Sequence, residues 1–189
     1  MIGTGRTARR DRSLQVKPLG EGRFAFSARL TDRSDGGDHE PPTPSAVIHD
    51  FTASGEVEGP HLLLTRLTVE AVTHPYPQCP FILGVCDELV GSSLRSGWRR
   101  AVLDRLRGPA GCTHVVSLLL SLTELTTLTF FLQINQSMAY GERQRSDGSW
   151  TAASLDAVPS LPGACHVLSP DGLLAGVARR PADDKAPPR

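Results

Sequence analysis

The chain has 189 residues, 39% of them hydrophobic, enough for one domain with a real core and hardly for two. Its 20 lysines and arginines balance its 20 aspartates and glutamates, so no basic excess supports binding to nucleic acid. Lys17 and Lys185 are the only lysines, an arginine bias of the kind that GC-rich bacterial coding gives.

Residues 1–12 carry Arg6, Arg9, Arg10 and Arg12 with no apolar run behind them. They read as a disordered lead-in and not as a secretory signal. A single domain is expected over 13–178. Phe24, Phe26, Ala28 and Leu30 alternate with polar neighbours, which is the strand period. The Gly/Asp/Pro-rich stretch 36–44 reads as a loop. Strands are expected over 46–57 and 62–72, joined through Glu58-Gly59-Pro60 as antiparallel neighbours.

The period then changes. Ile82, Val85, Cys86, Leu89 and Val90 have helical spacing, with Pro80 suited to the first turn and Gly91 to the position past the end. A second helix is expected from Trp98 to Leu106, closed by Gly108-Pro109. A third runs from near Cys112 to Met138. Its apolar stretch Val115–Leu132 is long enough to span a membrane, yet it holds Glu124 and many hydroxyls, which favours a buried core helix. Residues 141–163 read as a loop, 164–168 and 173–177 as a hairpin around Asp171-Gly172, and 179–189 as a disordered tail. The fold class is therefore α+β: a small antiparallel sheet of four or five strands with three helices packed on one face.

The four cysteines, Cys79, Cys86, Cys112 and Cys165, are expected as reduced thiols in a cytoplasmic protein, available for metal binding or catalysis. Cys86 reads as a core residue. Metal-type and nucleophilic side chains gather at His49-Asp50, Cys79, Cys112-Thr113-His114 and Cys165-His166. Thiolate, imidazole and carboxylate are zinc's ligand set. Cys79 and Cys112 stand at helix starts, where unpaired N–H groups favour an anion. No CxxC or HExxH spacing is present, so small buried side chains remain the alternative at each cysteine. Glu124 is a further acid that burial would make a proton donor.

An ordered series of motifs carries a resemblance. Arg9-Arg10, Ile48-His49-Asp50-Phe51, His74-Pro75-Tyr76-Pro77-Gln78-Cys79-Pro80, Gly97-Trp98-Arg99-Arg100, Gly111-Cys112-Thr113-His114 and Ala164-Cys165-His166 resemble the bacterial family of unknown function numbered 2889, over about residues 9–178. The family implies no activity. The order of strands, a cysteine at a helix start and a second cysteine opening a long helix is also similar to iron–sulfur scaffolds of the IscU, NifU and SufU type. That likeness, with an IscU/SufE-like fold, implies ligands at Asp50, Cys79 and Cys112. His49 stands where a scaffold has its first cysteine, which favours zinc over a cluster.

The expected function is a small bacterial enzyme acting on a small organic substrate through a Cys/His/Asp site, metal-dependent with zinc or another divalent ion. Cys112, His114 and Asp50 are the candidate catalytic residues. The candidate metal ligands are Asp50, His49, Cys79, Cys112, His114, Cys165 and His166. The partner is a small molecule, with no nucleic acid and no membrane. A non-catalytic metal-binding scaffold and an accessory subunit with inert cysteines stay open beside it.

Overall fold

The computed structural model describes residues 7–35, 45–137, 140–141, 146–158, 161–163, 165–169 and 171–172. Two compact units divide the chain, residues 1–129 and 130–189, where the sequence suggests one domain.

The first unit is built on a four-stranded antiparallel sheet in the order β1-β2-β3-β4, with β1 Thr7–Gly20, β2 Arg23–Asp35, β3 Ala46–Glu58 and β4 Leu63–Thr73. Strand alternation sends Phe24, Phe26, Leu30, Phe51 and Val57 to one face, where all are buried. The helical segments cover that face: a run of 3-10 turns Cys79–Leu89, α1 Trp98–Leu106 and α2 Thr113–Ser121. Trp98, Val102, Leu118 and Leu119 complete the core, and the Trp98 indole N–H donates to the Leu119 carbonyl at 2.7 Å, tying α1 to α2.

β2, β3, β4 and α1 follow the expected pattern. β1 does not, since it takes in residues 7–12 of the expected lead-in and pairs with β2 from Thr7↔Asp35. Its side chains are almost all exposed, so it carries little hydrophobic alternation to announce it. The turn into β2 runs through Gly20, Glu21 and Gly22, all at positive φ.

Residues 79–89 form 3-10 turns where helical spacing suggests an α-helix. Cys86 and Leu89 are buried, and a spacing of three is the 3-10 period. Burial pushes the Cys86 thiol up to about 11, so it is an inert core residue.

The expected long third helix is interrupted. α2 gives way to a 3-10 turn at Leu122–Glu124 before α3, Leu125–Ser137. Hydroxyls mark the break: Ser121 donates to the Leu118 carbonyl at 2.6 Å and Thr126 to that of Thr123 at 2.8 Å. Glu124 is exposed. By length and composition alone, Thr113–Gln136 is apolar enough to cross a membrane.

In the second unit α4, Ser149–Ala157, occupies part of the expected 141–163 loop. Trp150 on α4 meets Tyr140 edge-on at 5.0 Å and Phe131 at 6.1 Å. In the expected hairpin, His166–Leu168 is a 3-10 turn, whereas 173–177, like the 179–189 tail, lies outside the described residues.

On the far face of the sheet, the buried Asp50 carboxylate accepts two hydrogen bonds from Arg29, one at 2.8 Å to Nε and the other from Nη2. Arg29 holds the Asp50 carboxyl below the usual carboxylate range, against burial. The depressed acid contributes stability above about pH 4 that is lost as pH falls through its folded value. Asp50→Asn is expected to cost about 1–3 kcal/mol in urea denaturation at pH 7, with the gap to the parent closing on acidification. An equal gap at pH 3 and pH 7 would show that the charge is not what matters.

Candidate functional site

The inward face of the sheet continues past its apolar residues into polar ones. On β2 the alternation Phe24, Phe26, Ala28, Leu30 ends with Asp32, paired with Arg10 on β1 and His49 on β3. Consecutive residues on a strand point to opposite faces, so His49 joins this side and Asp50 cannot.

α2 brings the remaining group. Cys112 is its N-cap, in extended conformation and without a side-chain capping bond, and His114 lies in the first turn. Gly111 fixes this start against the end of α1: a Cβ there would lie 1.9 Å from the Leu106 carbonyl oxygen.

Three donor atoms then converge. His49 Nδ1 and His114 Nε2 each lie 3.2 Å from Asp32 Oδ2, and all three atoms fall within 4.8 Å of one another. Zinc bonds to nitrogen and oxygen of about 2.0–2.2 Å place neighbouring ligands of a tetrahedral ion about 3.3–3.6 Å apart, and the two separations from Asp32 are close to that. The imidazoles stack at 3.7 Å, and the buried Phe51 ring lies parallel to His114 at 5.8 Å.

Arg10 grips Asp32 from behind, donating from Nε to Oδ1 at 2.6 Å and from Nη2 to Oδ2 at 2.7 Å. This pair holds the Asp32 carboxyl below the usual range, with smaller help from His114 and His49. Burial pushes the His114 imidazole down, and His49 adds to this against the opposing pull of Asp32. The set is thus a carboxylate and a neutral imidazole at pH 7, the forms that bind a cation.

A cleft of about 490 Å³ opens beside these groups. His49, Cys112, Thr113 and His114 line one part, and Pro75, Tyr76, Gln78, Cys79 and Ile82 another. The second part is held by the Tyr76 carbonyl, which accepts from the Cys79 N–H at 3.0 Å and lies 2.8 Å from His74 Nδ1. The Cys112 sulfur lies 3.4 Å from His114 Nδ1.

The fold therefore brings His49, Cys79, Cys112 and His114 around one cleft and takes Asp50 away to the opposite face with Arg29. The scaffold-like set of Asp50, Cys79 and Cys112 does not assemble. Cys165 and His166 belong to the second unit, both exposed. Asp32 and Arg10 were missed by the sequence reading. The signal for Asp32 was an acid on the inward register of β2, which is costly unless paired.

An α+β domain carrying a His/Asp/His cluster at the mouth of a cleft is the class that fold and site define. The chain belongs to the family of proteins of unknown function DUF2889, whose model matches residues 8–127. That span contains every residue of the cluster and cleft, and ends before Cys165 and His166. No curated protein and no solved structure matches the chain.

Proposed function

We propose that this chain is a metal-dependent enzyme of the bacterial cytoplasm that acts on a small organic substrate in the cleft, with zinc the favoured ion. The observation that carries the reading is the convergence of Asp32, His49 and His114 at ligand spacing beside the cleft. His49, His114 and Asp32 would hold the ion, which when bound would supply Lewis acidity toward water or a substrate oxygen. Arg10 orients the carboxylate and keeps it ionised. Cys112 takes the outer nitrogen of His114 and so fixes the ring that presents Nε2.

Elemental analysis of protein purified without an affinity tag is the test, with roughly one zinc or other divalent ion per chain expected. Protein that contains no metal, takes none up and melts identically with and without added zinc would sink the proposal.

One contact favours a second reading. Cys112 Sγ, His114 and Asp32 lie in sequence at 3.4 and 3.2 Å, the order of nucleophile, base and orienting acid in thiol catalysis. Metal-free protein in which Cys112 alone alkylates rapidly at neutral pH would favour it.

A further inference from the structure

The cleft beside the cluster has a distinctive chemical character. Among the described residues, no aspartate, glutamate, lysine or arginine lines it. Arg10, on the cluster side, is committed through two nitrogens to Asp32. An ionic substituent on the body of a bound molecule would lose water in the cleft and gain no counter-ion. Beside the two imidazoles and Tyr76, the polar side chains that line it are Gln78, Thr113, Cys79 and Cys112. Such groups orient a ligand rather than neutralise one.

Its walls are flat. His49 and His114 both line the cleft and are stacked on each other, with Phe51 parallel behind. Tyr76 also lines it, 68% exposed, so an aromatic ring stands in water at the rim. Ring faces of this kind gain more from another ring than from a saturated body of equal area.

We infer that the cleft takes an uncharged, planar aromatic compound that presents an oxygen function toward Asp32, His49 and His114. The inference rests on the cleft being the substrate site proposed above. Tyr76 is the specificity residue, covered by the ring when the compound is seated.

The test titrates the as-purified protein with 2-naphthamide and three relatives: its fully saturated analogue, and two 2-naphthamides that keep the amide and carry a sulfonate or an aminomethyl (ammonium) group on the far ring. Binding is read from amide chemical shifts at Tyr76, Cys112 and His114. The amide is expected to bind about 3–10-fold tighter than its saturated analogue and at least about tenfold tighter than either ion. Tyr76→Ala should weaken the amide about threefold or more with an unchanged melting temperature, since the side chain is exposed. Equal affinity for the saturated analogue, tighter binding of either ion, or no saturable shift at these residues overturns the inference. Metal content is measured on the same batch. A batch that holds no metal, takes up no added zinc and keeps the ranking overturns the metal reading and leaves this one standing. A metal-loaded batch without the ranking does the reverse.

Discussion

Protein carrying His114→Ala is expected to lose its metal, with affinity for zinc lower by more than the about 10–100-fold that loss of an outer-sphere partner costs. The effect on stability should be conditional. Binding adds to folding free energy, about 2.7 kcal/mol when free zinc is a hundred times its dissociation constant. The parent should therefore melt higher as zinc is added, and the variant should not. In chelator the two should differ only by a constant amount that zinc does not change, the loss of the ring's stacking on His49 and Phe51 and of its contacts with Cys112 and Asp32. Asp32→Asn should act the same way on metal and also release Arg10 from its paired hydrogen bonds. Isothermal titration and melting curves with and without chelator separate the two effects. If His114→Ala binds zinc as the parent does, the cluster is a hydrogen-bonded network and not a metal site.

Acid should weaken the same centre. Burial lowers the folded-state affinity of His114 for a proton, so the unfolded chain binds more protons as pH falls below about 6.5, and folding stability declines with it. Asp32, depressed by Arg10, adds its own loss at lower pH, below about 4. Both run in one direction: stability is present near neutrality and lost on acidification.

Legibility in the sequence followed the strength of hydrophobic alternation. β2, β3 and β4 each bury one face, and the register of Phe51, Ala53 and Val57 is plain in the chain. α1 was bounded by Gly97 and Gly108, and its buried Trp98, Val102 and Leu106 have helical spacing. β1 was missed because an edge strand with Leu14 and Val16 as its partly covered positions resembles a polar lead-in. α4 was missed because Gly148 and the polar residues before it read as loop, while its helix has little amphipathic pattern.

The site divides along the same line. Cys112-Thr113-His114 and Cys79 were visible as chemistry at element starts, because residue type and position coincide there. The scaffold likeness implies Asp50 as a ligand together with His49-side chemistry, yet adjacency on a strand is what separates Asp50 from His49. Asp32 lies between the alternation that ends at Leu30 and the loop that starts at residue 36, where no local pattern marks it. Its role depends on a pairing register across three strands, which no single segment carries.

Gly111 joins fold to site, and the addition of a single methyl there should be strongly damaging. The residue is extended, at φ −147° and ψ −169°, so backbone preference does not demand glycine. Space does. An added Cβ would meet the Leu106 oxygen at 1.9 Å, its carbonyl carbon at 2.6 Å and its Cα at 2.8 Å, all backbone atoms of a fully buried residue. Nothing there can rotate away. Either the end of α1 shifts, which disturbs Trp98 and its bond to Leu119, or the start of α2 does. Gly111→Ala is therefore expected to cost about 3 kcal/mol or more, at the upper end of overpacking effects. Cys112 and His114 follow immediately in the chain, so a shift of α2 also moves His114 Nε2 from Asp32. A displacement of about 1 Å is enough to cost roughly a hundredfold in a positioned site. Urea denaturation gives the first number, and zinc titration well below the melting temperature gives the second. A folded Gly111→Ala protein with unchanged zinc affinity would mean that the turn between α1 and α2 does not set the position of His114.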